Sequence, residues 1–205
     1  MSSRSRSRPS LAVVADSCAN LRADDGDESA LVEALRLGQL DALAAAFDRW
    51  HQRVRVLARR LLSDDAAAED VVQDVFAALP RAIQRFRGEV TLETFLMAIA
   101  VKRARHHRRA AARRRRALAR LASEERRGPR DPEQDAYRRE LGVRLAGALD
   151  RLPLHQRVAF VLCEVEELTS ARAAKIAAVP EATVRTRLFH ARRRLRDLLD
   201  GERDR

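Results

Sequence analysis

From Gln39 onward the chain carries a strong period of three to four residues. Leu40, Leu43, Phe47, Trp50, Val54, Leu57 and Leu61 fall on one helical face and predict a long helix with that stripe turned to a core. Ser63-Asp64-Asp65 then offers side-chain oxygens to the open N–H groups of a second helix. Its stripe is Ala68, Val72, Val75, Leu79, Ile83 and Phe86, widened by Val71 and Phe76. Pro80 sits inside that stripe, so a kink or a helix end is expected near Leu79. Gly88 marks a loop, and a third helix starts near Thr91, with Leu92, Phe95, Leu96 and Ile99 facing inward. A shorter segment, Leu31 to Leu37, is expected to pack on these three. Together they form a compact helical domain over residues 28–116.

Residues 1–27 are Ser/Arg-rich and then Asp-rich without sustained periodicity, which reads as a disordered tail. The string Ser123 to Pro132 mixes charge with two prolines and a glycine and sits in a linker over 117–136. Helical pattern resumes around Tyr137 with Leu141, Leu145 and Leu149, breaks at Leu152-Pro153 and continues through Val158, Val161 and Leu162. Ser170 can cap a short helix over Ala171 to Ala177. A turn at Ala178-Val179-Pro180 follows, and Pro180 suits the first position of a last helix reaching about Asp200. Val184, Leu188, Ala191, Leu195 and Leu198 are its buried stripe. The second domain therefore covers 137–200, and 201–205 are a tail. The fold class is all-α: two small helical domains on a flexible linker, the C-terminal one a helix-turn-helix.

Charge sharpens this picture. Between Glu93 and Glu124 there is no acid, and Lys102 to Arg116 holds nine positive charges in fifteen residues. No Gly or Pro separates this run from the third helix, so it continues as one cationic helix anchored to a folded core, a surface suited to tracking phosphates. The net charge of +11 points the same way, to nucleic acid or an anionic membrane surface. No window approaches a transmembrane span, and the apolar piece Leu11 to Ala15 is too short for a signal-peptide core, so no membrane insertion and a cytoplasmic location are expected. Aromatics are only 4%, which leaves Leu, Val and Ala to build the interior.

The last helix displays Thr183, Arg185, Thr186, Arg187, His190, Arg192 and Arg193 away from its apolar stripe, with no acid from Thr183 to Arg196. A helix-turn-helix needs this layout, because its second helix enters the major groove with base-reading and phosphate-binding side chains. A plain solvated face would carry balancing acids. The second helix contrasts: Asp64, Asp65, Glu69, Asp70 and Asp74 cluster on it. That strip suits a basic protein partner or serves as a solubilising face near the positive helix end; the residues alone leave both open. His106-His107 are adjacent and point in different directions, so they make no metal site. Cys18 and Cys163 lie far apart, fit a reducing compartment and form no ligand set; Cys163 reads as a small core residue. With no nucleophile–base pair and no phosphate-cradling glycine loop, no enzymatic activity, cofactor or metal is expected.

Four strings then carry a family resemblance. Ala68-Glu-Asp-Val-Val-Gln-Asp-Val-Phe76 resembles the polymerase-binding helix of bacterial sigma factors, and Phe95 to Arg109 resembles their segment for opening and reading the −10 promoter element. Leu149 to Leu162 and Val179 to Leu195 resemble the domain that binds the −35 element. Their order, over residues 28–200, is similar to the extracytoplasmic-function branch of the sigma-70 family, and the short linker leaves no room for the middle domain of larger members.

The resemblance implies a promoter-specificity subunit with core RNA polymerase and promoter DNA as partners and an anti-sigma protein as regulator. Glu69, Asp70, Gln73 and Asp74 would dock on polymerase. Arg87, Lys102, Arg103, His106, Arg109 and Arg113 would hold −10 DNA, and the loop Phe86 to Leu92 would help hold an unstacked base. Lys175, Thr183, Arg185, Thr186, Arg187, His190 and Arg193 would meet −35 duplex. Lys102 stands where the family commonly has Asn, His106 where Asp is usual, Arg172 and Lys175 where acids are common, and Ala178 replaces a turn Gly. Two other readings fit the same residues: a stand-alone helix-turn-helix regulator that needs no polymerase, and an RNA-binding adaptor that uses the arginine run.

Overall fold

The computed structural model describes residues 25–119 and 145–200, with side chains for 28–114 and 145–200. Of the tail expected over 1–27, residues 1–24 lie outside these, as do 201–205, the linker, Tyr137 and Leu141, whereas 25–27 are corrected to the first residues of a helix. Every regular element among the described residues is helical: α1 (Asp25–Arg36), α2 (Leu40–Leu62), α3 (Asp65–Ala82) with a 3-10 turn at Ile83–Arg85, α4 (Leu92–Ala119), α5 (145–150), α6 (Leu154–Phe160) running into a π turn at Val161–Val165, α7 (Ser170–Ala177) and α8 (Glu181–Asp200).

Local chemistry sets the boundaries. Gly38, at φ +75°, ends α1 in a left-handed turn where its N–H reaches the Leu35 carbonyl and that of Gln39 reaches Ala34. Asp64 is the N-cap of α3: its Oδ1 accepts from the N–H groups of Ala66 at 2.9 Å and Ala67 at 3.2 Å, an arrangement that contributes about 1 kcal/mol. At α4, Thr91 Oγ1 accepts from Thr94 N–H, and Glu28 of α1 accepts from Leu92 N–H at 2.6 Å. The helix end expected near Leu79 falls three residues later: α3 runs through Pro80 to Ala82, where the 3-10 turn takes over. Pro80 is exposed, and its missing N–H leaves the Phe76 carbonyl without its intrahelical donor just before the helix ends.

The stripe of α3 is buried as expected from Ala68 to Phe86. The stripe of α2 is shifted at its start. Ala42 and Ala46 are buried, whereas Leu40 is 79% exposed and Phe47 is 38% exposed, its ring held edge-on by Phe76 and stacked by His51. From Trp50 the two patterns agree. On α4 burial continues past Leu96 through Met97, Ala100, Val101 and Ala104, and small side chains let α4 lie close to α2 and α3. Leu57 and Leu61 are fully buried; truncating either to Ala would cost about 2–5 kcal/mol.

In the C-terminal half α7 and α8 form the expected helix-turn-helix. Thr169, not Ser170, is the N-cap of α7, its Oγ1 accepting from Arg172 N–H; Ser170 Oγ instead donates to Glu181. Ala178 is left-handed at φ 52° and ψ 53°, and Val179 N–H reaches the Ala174 carbonyl. Pro180 stands just outside α8 and its carbonyl accepts from Thr183 and Val184. Ala148, Leu152, Ala191 and Leu195 form a small core of their own. The larger core does not stop at the domain boundary: one buried cluster runs from Val32 through α2–α4 to Val158, Leu162, Ile176 and Val184. The two helical domains share it.

Candidate nucleic-acid interface

Helical spacing divides the cations of α4 into two flanks. Lys102, His106 and Arg109 lie on one, beside Phe95 and Ile99, in a hollow of about 510 Å³ whose far wall is Ile176 and Ala178. Arg105 lies in the same hollow, and its Nη2 donates to the Ala177 carbonyl at 3.0 Å. Burial, then the neighbouring guanidinium groups of Arg187 and Arg109, lower its pKa below the ordinary arginine value. Arg103 and His107 take the other flank and face Asp74 of α3, at 3.9 and 3.5 Å. Arg87 lines a separate hollow with Arg36, Phe86 and Gly88. Arg113 is exposed, past the end of the core. Phe86, at the start of the expected base-holding loop, is buried against Phe95, and its carbonyl accepts from Arg36 at 2.6 Å.

On α8, Thr183, Thr186, Arg187 and His190 line one hollow of about 580 Å³ together with Ala182 and with His155 of α6. Arg185 turns from it toward Glu181, at 3.5 Å, and Arg193 and Lys175 are exposed. Thr186 Oγ1 donates to the Ala182 carbonyl at 3.0 Å, which uses its proton and leaves its acceptor lone pairs and methyl group for other contacts. Burial, then Arg187 and Arg105, lower the His155 pKa below the ordinary 6.5. A phosphate placed here would reverse that, since an anion favours the charged imidazolium. Sequence reasoning missed His155, the second residue of α6; its signal was a histidine two positions after Pro153, one helix away from the recognised motif.

Of the acidic strip, Glu69 pairs with Arg55 at 3.2 Å, Asp70 lines a polar cleft with His107, Arg108 and Arg157, and Gln73 is exposed. The strip and the cationic run are thus neighbours, joined at Asp74. Among the described residues no group of three His, Cys, Asp or Glu could hold a metal ion, and no helix is long and apolar enough to cross a membrane. Cys163 is half-buried, and burial followed by Glu164 pushes its thiol up, away from nucleophilic character.

Three charged residues that the periodicity hid join the halves. Arg157 of α6 is 2% exposed; it donates to the Leu61 carbonyl at 2.9 Å and to Ser63 Oγ at 2.6 Å, and pairs with Asp150. Glu166, after the π turn, meets Arg60 and lies 3.5 Å from Arg53. Arg172 of α7 reaches Glu93 at 2.9 Å and Thr94 Oγ1 at 3.1 Å.

Comparison with known proteins matches residues 46–114 to Sigma-70 region 2 and residues 143–195 to Sigma-70, region 4. The ECF RNA polymerase sigma-E factor of Haemophilus influenzae is 31% identical over 173 residues, spanning 80% of this chain and 91% of its own. ECF RNA polymerase sigma factor SigE of Mycolicibacterium smegmatis is 33% identical over 165 residues, covering 76% of this chain and 63% of its own. Among solved structures, CnrH in complex with the cytosolic domain of CnrY aligns over 85% of this chain and 97% of its own, with a TM-score of 0.61 at 24% identity. RpoE of Bartonella quintana, in complex with the anti-sigma factor NepR, aligns over 77% and 96%, with a TM-score of 0.58 at 23% identity.

Proposed function

Because the chain belongs to the extracytoplasmic-function branch of the sigma-70 family of RNA polymerase sigma factors, we propose that its halves divide promoter recognition between them. Residues 28–116 bind core polymerase and −10 DNA, and residues 137–200 bind the −35 duplex. Glu69, Asp70, Gln73 and Asp74 form the polymerase-binding strip. Lys102, His106 and Arg109 face −10 DNA from one flank of α4. Arg103 meets the strand from the other flank, Arg87 from the loop side and Arg113 from beyond the core. Arg187, Thr183, Thr186 and His190 read or clamp the −35 groove, with Arg185, Arg193 and Lys175 on the flanking phosphates.

The observation that carries this division is the charge of α8 and its hollow. Four side chains able to bind bases or phosphates converge on one side of a helix that has no acid between Thr183 and Arg196, which is what a groove-entering helix requires. The chain supplies no catalytic group; polymerase does the chemistry. Its working place is the cytoplasm, with an anti-sigma protein as partner, of the kind that the anti-sigma factor NepR is to RpoE.

Run-off transcription with purified core polymerase on a pool of genomic promoters tests the reading. Added protein should redirect initiation to a subset sharing −35 and −10 sequences. Unchanged promoter choice would overturn it, and tight promoter binding without polymerase would favour the stand-alone regulator.

A further inference from the structure

Helix α1 holds the loop between the 3-10 turn and α4 at both of its ends. Arg36 Nη2 donates to the Phe86 carbonyl at 2.6 Å, and Glu28 accepts from Leu92 N–H at 2.6 Å. Gln84, just before the loop, adds a third tie, its Nε2 donating to the Arg36 carbonyl at 2.8 Å. Between the anchored ends the chain turns through Gly88, left-handed at φ +74°. A loop fixed at both ends keeps its shape before any ligand arrives, which lowers the ordering cost of binding one.

A hollow of about 280 Å³ lies between loop and helix, with Val32, Glu33 and Arg36 on the α1 side and Arg87, Gly88 and Val90 on the other. That is room enough for one unstacked nucleobase, and Val32 and Val90 give its flat ring apolar contact. The loop itself offers little to tell bases apart. Phe86 is turned inward against Phe95, and Gly88 has no side chain. Arg87, exposed at the rim, suits the phosphate beside a captured base.

The edge of the base is left to α1. Glu28 is engaged by Leu92 and one arm of Arg36 by Phe86, while the Glu33 carboxylate is exposed and oriented by Arg36, one helical turn on. A carboxylate accepts hydrogen bonds and cannot donate them, and a guanidinium does the reverse. Side by side they match an exocyclic amino group next to a ring-nitrogen acceptor. Cytosine and adenine present that pair on their Watson–Crick edges, whereas thymine places a carbonyl oxygen where the amino group should be.

We propose that the Glu33–Arg36 pair of α1 reads the edge of a single unstacked base held in this hollow, selecting one with an exocyclic amino group over thymine. The inference rests on the assignment of the loop Phe86 to Leu92 to −10 DNA. Glu28 is a positioning residue, acting through the far end of that loop. The cations of α4 hold the backbone of any sequence alike, and α1 adds the discrimination they lack.

The test measures the affinity of the full chain at neutral pH for short single strands of oligodeoxycytidylate and oligodeoxyuridylate. Their bases differ only at the C4 amino or carbonyl group and the N3 proton, and their backbones carry the same charge. An abasic strand of the same length reports the backbone alone. The parent should prefer oligodeoxycytidylate over oligodeoxyuridylate by about fivefold or more, and Glu33→Ala should abolish that preference. Removing an acid raises affinity for every strand, so the ratio of the two affinities is the readout. Asp48→Asn, which removes an exposed acid from α2, should keep the parent's ratio. Equal affinity of the parent for the two base-bearing strands overturns the proposal, as does an abasic strand bound as tightly as oligodeoxycytidylate. A preference that survives Glu33→Ala, or that Asp48→Asn removes equally, overturns it too. Run-off promoter choice untouched by Glu33→Ala, with the ratio lost, would strike the −10 assignment and leave the base pocket standing.

Discussion

Arg157 donates to the backbone carbonyl of Leu61 at 2.9 Å, so a side chain of the C-terminal domain completes a helix of the N-terminal one. The last carbonyls of a helix lack intrahelical donors and carry the negative end of its dipole. A guanidinium there satisfies both needs, and the Ser63 hydroxyl takes its second arm. Arg157→Leu keeps the volume and removes three bonds, one of them to a charged partner. We expect a loss of about 2–4 kcal/mol, measured by urea denaturation of the full chain. A midpoint equal to the parent's would show that the carbonyl is met by water instead.

Ala178 offers the opposite change. It holds the left-handed turn between α7 and α8, where Gly38 does the same work after α1 without a Cβ penalty. Ala178→Gly should stabilise the protein by about 1 kcal/mol. A fall in thermal midpoint would mean that its side chain is needed as the wall of the α4 hollow.

Asp70 and Gln73 are exposed on α3. Asp70→Ala and Gln73→Ala should leave the denaturation midpoint within about 0.5 kcal/mol of the parent. Their effect should appear in core-polymerase affinity, as a fall of about tenfold, equivalent to 1.4 kcal/mol. Equal affinities would remove the strip from the polymerase interface.

Arg187 and Arg113 should separate reading from holding. Arg187 lies inside the α8 hollow, so Arg187→Ala should lower discrimination between a cognate −35 site and its mismatches by about 1–3 kcal/mol. Arg113 is exposed past the end of the core, where the proposed contact is with backbone charge alone. Arg113→Ala should weaken all promoters alike and reduce the slope of log K against log salt by about 1. Titrations at several salt concentrations decide between the two patterns.

What could be read in advance follows from the reach of the physics. Asp64 as a cap, the α3 stripe and the turn at Ala178 are set by near neighbours, and periodicity and capping chemistry found them. Leu40 and Phe47 broke the stripe because periodicity marks a face without telling how far the next helix extends along it. Ser170 lost the cap to Thr169 because both hydroxyls satisfy the local rule and the contact with Glu181 decided between them. Arg157, Glu166 and Arg172 look like surface charge in a chain this basic. Only their partners, some seventy to over a hundred positions away, make them structural. The site residues on α8 were legible as a charged face, but the presence of His155 among them depended on how α6 crosses that helix.

Asp74 sits at 3.9 Å from Arg103 and 3.5 Å from His107, so one carboxylate stands between the proposed polymerase-binding strip and the proposed DNA-holding flank. Under the proposed assignment, a polymerase surface that takes hold of Asp74 would draw it away from Arg103, and a phosphate would become the natural replacement. Enzyme capture and strand capture would then reinforce each other by the same factor in both directions, with no moving part beyond a single side chain changing company.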